Sequence, residues 1–241
     1  MAKLHIGTSG WHYDHWLGRF YPAGTKSGDF LRLYARRFRA VEINNSFYRL
    51  PKKETLAAWR DETPKTMVFA CKASRYITHV KRLAGAEGFQ RFFETVDVLG
   101  DKLGPLLFQL PPRWKPNVER LERFLDALPR QRRSVFEFRD ARWFVPEVRA
   151  ALKRHNVASC LYDFEDRQAP GWITADFVYV RLHGPGQRYL HAYDDRTLGA
   201  LARRIAAWKR SGRDVYCFFD NTDKGAAPAD ALKLKALLRG R

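Results

Sequence analysis

Short apolar runs punctuate the chain at nearly regular intervals: LHIGTS (4–9), AVEINN (40–45), TMVFACKA (66–73), PLLFQL (105–110), SVFEFRD (134–140), ASCLYDF (158–164), FVYVRLHG (177–184) and DVYCFFDN (214–221). Runs this short, rich in β-branched and aromatic residues, read as buried strands. Between most of them apolar residues recur at helical spacing. Phe89, Phe92, Val96 and Leu99 share one face, as do Val118, Leu121, Leu125 and Leu128. A third stripe joins Leu198, Leu201, Ile205 and Trp208, with Asp194 or Asp195 as its expected cap and Gly212 as its stop. The segment EDRQAPGWITAD (165–176) has little helical character. Eight strand units in 241 residues allot about thirty residues to each, the size of a βα repeat. The alternation predicts an α/β fold with parallel strands, and the count predicts a single closed (β/α)8 barrel over residues 1–241. An open doubly wound sheet is the competitor, weakened because no Gly-rich dinucleotide fingerprint follows the first strand.

In such a barrel the active site forms at the C-terminal strand ends. Here those ends carry polar residues that a buried strand otherwise avoids: Thr8 or Ser9, Glu42 and Asn44, Lys72, Gln109, Glu137 and Arg139, Asp163, Arg181 and His183, and Asp220. Glu42 with Asn44, Glu137 with Arg139, and Arg181 with His183 share side-chain parity, so inward parity stacks them in layers. One reading is a buried network whose charges only neutralise one another. The sharper reading makes Glu137 and Glu42 the general acid and base, one raised by burial and one held ionised, with His183 and Asp220 completing the catalytic set. Arg139, Arg181 and Lys72 would then hold an anion, with Asn44 and Gln109 beside them.

Aromatic residues crowd the expected rim loops. GWHYDHW follows the first strand, and NSFYR, SRYITH, PPRWK, RDARWF and GQRYLHAY follow later ones. Any one of these rings is expected to pack loop on loop. As a ring they predict a ligand surface, with Trp11, Tyr48 and Trp143 as its members. HGPGQRY (183–189) offers an anion subsite if its backbone N–H groups point inward, with Arg188 adding charge.

Charge and cysteine usage narrow the picture further. Forty-four Lys and Arg against 26 Asp and Glu give a net charge of +18, which draws in polyanions and speeds their association. The three cysteines, Cys71, Cys160 and Cys217, lie in apolar strand runs without metal or redox spacing and read as buried free thiols. No cofactor is identifiable. Glu42, Glu137, His183, Asp220, and Asp140 or His79 leave room for one divalent ion, but the neighbouring cations oppose a multi-zinc cluster and no tightly bound metal is expected. No apolar stretch is long enough for a membrane span or signal peptide, so a cytoplasmic protein without a membrane partner is expected.

Several stretches resemble the YecE-like family, the domain of unknown function 72: IGTSGWHYDHWLGRFYP (6–22), VEINNSFYRLP (41–51), KASRYITH (72–79), LGPLLFQLPP (103–112), FEFRDARWF (136–144), YVRLHG (179–184) and FFDNTDKGAAPADAL (218–232). The resemblance covers nearly the whole chain in order and implies a TIM barrel without an established reaction. Where the family pattern often reads E-x-R-H, this chain has Glu137-Phe138-Arg139-Asp140. Where it often reads F-N-N, it has Phe219-Asp220-Asn221. A histidine role at position 140 is therefore not carried over, and the mouth gains two carboxylates.

Three functions follow as expectations. The first is binding, and cleavage by acid/base chemistry, of a polyanion such as nucleic acid or another phosphodiester at the barrel mouth. The second is isomerase, lyase or hydrolase chemistry on a small phosphorylated or acidic sugar-like metabolite. The third is a non-catalytic binding module. The positive charge places the first ahead.

Overall fold

The computed structural model describes residues 2–85, 87–164, 167–187 and 189–239. Each of the eight apolar runs forms a strand: β1 (Leu4–Thr8), β2 (Ala40–Ile43), β3 (Val68–Lys72), β4 (Leu103–Gln109), β5 (Ser134–Glu137), the pair β6 (Ala158–Ser159) and β7 (Leu161–Phe164), then, past a short β8 (Arg167–Gln168), β9 (Phe177–Leu182) and β10 (Asp214–Phe219). The sixth run is split at Cys160, whose N–H still donates to Phe136 O at 2.8 Å. The strands form two five-stranded sheets, ordered β1-β10-β9-β7-β8 and β2-β3-β4-β5-β6. Every strand pairing is parallel except β7 with β8, whose Phe164–Arg167 turn-back the apolar pattern does not signal.

Helices α1 (Phe30–Arg37), α2 (Lys53–Glu62), α3 (Glu87–Val96), α4 (Val118–Asp126), α5 (Pro146–Arg154), α6 (Asp195–Arg210) and α7 (Ala226–Arg239) fill the connections. The N-cap of α6 is Asp194, whose side chain accepts from the Thr197 N–H at 2.7 Å. Gly212, two residues past the end of α6, takes φ 81°, a left-handed turn that glycine enters without Cβ strain. The described part of 165–176 holds no helix.

Alternating side chains serve two cores. Outward residues such as Val41, Phe69, Leu106, Phe136 and Val180 meet the helices. Inward residues form a smaller cluster, including Ala40, Ala70, Leu107, Val135, Cys160, Tyr179 and Phe218, drawn from both sheets. The sheets therefore face one another across this second cluster. All three cysteines are buried and free.

The seam between β1 and β2 has one parallel bridge, Ser9 with Glu42, and the Gly10 N–H donates to Glu42 O at 2.8 Å. Below it a buried phenol substitutes for the ladder. Tyr34 Oη accepts from Thr8 N at 2.9 Å and donates to Ala40 O at 2.9 Å. A Cβ on Gly7 would lie 1.9 Å from Ala40 O, so this close approach requires glycine.

Candidate functional site

Parallel register sets the predicted polar residues at matching heights: Gln109 pairs with Glu137, and Ser9 with Glu42. At their centre is Arg181, buried and carrying ion pairs to three acids. Its Nε donates to Glu42 Oε2 at 3.0 Å, and one terminal nitrogen to Glu42 Oε1 at 2.8 Å and to Asp220 Oδ2 at 2.9 Å. The other terminal nitrogen donates to Glu137 Oε2 at 2.8 Å. Glu42 also accepts from Ser9 Oγ at 2.7 Å and Tyr179 Oη at 2.6 Å. Tyr179 was not among the expected site residues, though it shares the parity of Arg181 and His183.

This geometry revises the roles expected for the two glutamates. Burial alone would raise the Glu137 carboxyl, but the Arg139 and Arg181 guanidiniums outweigh it and hold the group well below the usual carboxylate range. Glu42 is wholly buried, and both its oxygens are engaged by Arg181. Glu137 is thus held as the carboxylate, and together the two glutamates fix Arg181.

His183 is also spent. One ring nitrogen, Nδ1, lies 2.7 Å from Asp163 O, which requires the proton there. Nε2 then accepts from Arg181 at 3.0 Å and Arg139 at 2.8 Å. Burial, reinforced by Arg181, drives the imidazole well below its ordinary value, so the ring is neutral. Asp163 holds the adjoining loop by accepting from His183 N at 2.9 Å and from Tyr193 Oη.

Three groups in the same layer behave differently. Lys72 lies over the Phe47 ring, 4.4 Å from its centroid, and its ammonium makes no hydrogen bond or ion pair among the described residues. Burial and the Arg181 charge bring it down to about 8. Arg139 stacks its guanidinium 3.9 Å from the Phe164 ring centroid. One of its terminal nitrogens serves Glu137 and His183, while Nε and the other nitrogen are buried without a partner. Unpaired buried donors are costly and mark a place where a ligand or water belongs. Burial pushes Asp220 up to about 6 against the pull of Arg181. Gln109 is half-buried at the end of β4.

The rim aromatics divide. Trp16 and Trp143 have no exposed surface, and Trp11 and Trp114 are buried. Trp143 stacks on Phe138 and donates its indole N–H to Trp114 O at 2.7 Å, so it packs a loop and does not line a ligand surface. The crowded loop after β1 is a clasp: Trp16 Nε1 donates to Thr222 O at 2.9 Å and Arg19 to Lys224 O at 2.9 Å, tying it to the loop after β10. In contrast, Tyr48 is 84% exposed, Tyr76 40% and Tyr189 44%. Tyr76 opens a π-helical turn, Tyr76–Val80, a distortion found often at functional sites.

Three amides of the glycine-rich stretch after β9 are spent on the protein's own oxygens. Gly184 N–H donates to Tyr193 Oη at 2.8 Å, Gln187 N–H to Pro185 O at 2.9 Å, and Tyr189 N–H to His183 O at 2.6 Å. Arg188 lies outside the described residues. Asn44 faces a separate cleft of about 510 Å³ that also takes in Trp11 and Trp59. Asp140 caps the short helical turn Ala141–Trp143 and pairs with Arg142. Among the described residues no three His, Cys, Asp or Glu side chains gather in a metal-holding group, and no helix is long and apolar enough to cross a membrane.

Comparison with known proteins agrees with the motifs. A profile described as "Protein of unknown function DUF72" matches residues 5–241. The UPF0759 protein YunF of Bacillus subtilis is 25% identical over 276 residues, covering 98% of this chain and 94% of its own. The UPF0759 protein YecE of Escherichia coli is 30% identical over 143 residues, 58% of this chain and 50% of its own. A crystal structure of a DUF72 family protein from Thermotoga maritima superposes with a TM-score of 0.88 at 27% identity, covering 98% of this chain and 99% of that one. The chain belongs to the DUF72 family, whose function is not established.

Proposed function

We propose that the two sheets close into a (β/α)8 barrel and that its C-terminal mouth binds a polyanion of the single-stranded nucleic acid class, acting on it by acid/base chemistry. Closure is supported by the Ser9–Glu42 bridge on one side, by the interrupted β6–β7 strand shared between sheets on the other, and by the inner core common to both.

One observation carries the ligand class. The loops 44–52, 73–85 and 110–117 contain no Asp or Glu. They expose Arg49, Arg75, Lys81, Arg82, Arg113 and Lys115 around the outward Tyr48 and Tyr76. Cations interleaved with exposed rings match a phosphate backbone with stackable bases. The crown borders the end of β3, where Lys72 has an unspent ammonium. Arg139, just past the end of β5, keeps two buried nitrogens without a partner beneath that crown.

The chemistry follows from the two displaced titrations. At pH 7 Asp220, near 6, is mostly carboxylate, and Lys72, near 8, is mostly ammonium. These are the working forms of a base and an acid. For phosphodiester hydrolysis, Asp220 would take the proton of an attacking water. Lys72 would protonate the departing oxygen, and Arg139 would hold the non-bridging oxygens. Arg181, Glu42, Glu137 and His183 fix these groups in place.

The test is a titration of labelled single- and double-stranded oligonucleotides at about 50 and 200 mM salt, followed by a cleavage assay on whichever binds. The reading expects salt-steep binding that favours the single strand. An absence of binding at low salt would overturn it and move small phosphorylated metabolites to the front.

A further inference from the structure

A second site lies beside the mouth. The cleft of about 510 Å³ lies between the loop after β1, the start of α1, the end of β2 and the outer half of α2, within the size range of small-molecule sites. Its walls are apolar: Leu31, Ile43, Trp11 and Trp59, the two indoles meeting edge to face at 4.8 Å between ring centroids. Its polar lining is mixed, with the Asn44 and Asn45 amides, Ser27 and His12 supplying donors as well as acceptors. Asn44 Oδ1 is buried without a hydrogen-bond partner. Glu62, at the exposed edge of the cleft, makes no ion pair or hydrogen bond among the described residues. Trp11 and Asn44 belong to two of the stretches that carry the family resemblance, yet neither touches the Arg181 network.

An apolar slot lined by indoles, with amide and hydroxyl groups at its wall and an open carboxylate at its edge, is complementary to a planar ring whose rim carries both N–H donors and acceptors. We infer that this cleft binds a nucleobase or nucleoside, the ring packed against Trp59 and its polar rim hydrogen-bonded to the Asn44 amide. A base that hydrogen-bonds the wall replaces the water it displaces there, while a hydrocarbon ring leaves those polar groups unpaired. A ligand without phosphate is specified because the lining contributes no Lys or Arg. The cleft is thus separate in both place and chemistry from the cationic mouth, and its occupancy does not depend on the polyanion reading.

The experiment is quenching of tryptophan fluorescence, with calorimetry, by guanosine, adenosine and uridine at about 50 and 500 mM salt. Wild type is run beside Trp59→Leu and Asn44→Leu. Thermal unfolding and oligonucleotide binding are followed in parallel to show that each variant is folded. The inference expects saturable nucleoside binding that is insensitive to salt, because no phosphate is engaged. It expects binding to weaken about tenfold or more in Trp59→Leu, the usual loss for one stacked base, and likewise in Asn44→Leu. Benzyl alcohol, a ring of similar thickness without an N–H, should bind much more weakly. The inference is overturned if nucleosides do not bind, if binding survives Trp59→Leu in a folded protein, or if benzyl alcohol binds as well as guanosine. Loss of nucleoside binding with oligonucleotide binding intact separates this site from the mouth, and the converse separates the mouth from this site.

Discussion

Arg181 and Lys72 sit in one layer of charged residues at the same end of the sheets, and they teach opposite lessons. Arg181 meets three carboxylates and a neutral imidazole at hydrogen-bond distance, leaving it nothing to offer a ligand. Lys72 lies over a phenyl ring with no acceptor bonded to it among the described residues. A strand-end cation therefore carries no single meaning. Where carboxylates converge on it, the charge is structural. Where only a ring supports it, the charge is available.

The largest expected effect tests the spent half. Arg181→Met leaves Glu42 and Glu137 buried without their principal partner, a loss of about 3–5 kcal/mol, or very roughly 10 °C in Tm for a chain of this size. Urea unfolding measures it, and a variant as stable as wild type would show that the network is not a structural plug.

Lys72→Gln tests the available half. Stability should hold or rise at neutral pH, since no bonded partner is lost and burial disfavours the ammonium. Oligonucleotide affinity should fall about tenfold or more, as expected for a charge-assisted hydrogen bond. The salt dependence should shallow by about 0.7 in log–log slope, the value for one phosphate of a single strand.

The pH dependence sharpens the comparison. Asp220 is raised in the folded state to about 6, so its contribution to stability is full below its ordinary value and is lost as pH rises through 6. Wild-type stability minus that of Asp220→Asn should therefore fall between about pH 4 and 6. Lys72 is lowered to about 8 and has the opposite sign: its contribution, full above the ordinary lysine range, is lost as pH falls through 8. Anion binding should weaken in two steps as pH rises, near 6 when Asp220 becomes negative and near 8 when Lys72 loses its charge. A flat binding profile from pH 5 to 9 would place both groups away from the ligand.

The smallest effect separates the two kinds of aromatic. Tyr48→Ala should cost about fivefold in oligonucleotide affinity, the low end for one stacked base, with no change in Tm. Trp16→Ala, in the packed clasp, should instead cost about 3–5 kcal/mol of stability. If Tyr48→Ala leaves affinity unchanged, the outward rings are not a stacking surface.

Much of this architecture was legible in the chain. The apolar runs located every parallel strand because burial on both faces demands them, though not the antiparallel β8, and local chemistry narrowed the cap of α6 to Asp194 or Asp195. The polar strand ends were also found, since Glu42, Glu137 and Arg181 are out of place in apolar runs. Their roles were not legible. Whether Glu137 is raised or lowered depends on two guanidiniums from β9 and the end of its own strand, a sum that spacing along the chain does not give. The aromatic loop after β1 misled for a related reason: ring density reports buried area and not the face on which it is buried. The Trp11–Trp59 cleft was signalled only through Trp11 and Asn44, assigned to the mouth, because Trp59 lies mid-helix and reaches Trp11 only through the packing of α2 on the sheet.

The central claim is that the mouth has anion-binding capacity left after its internal ion pairs are satisfied. The most direct measurement is the affinity of a labelled single-stranded oligonucleotide for wild type and Lys72→Gln at low salt, with Tm recorded on the same samples. The account predicts a weakening of about tenfold or more with a Tm no lower than that of wild type. Equal affinity for the two folded proteins would contradict it and confine the +18 charge to the outer surface.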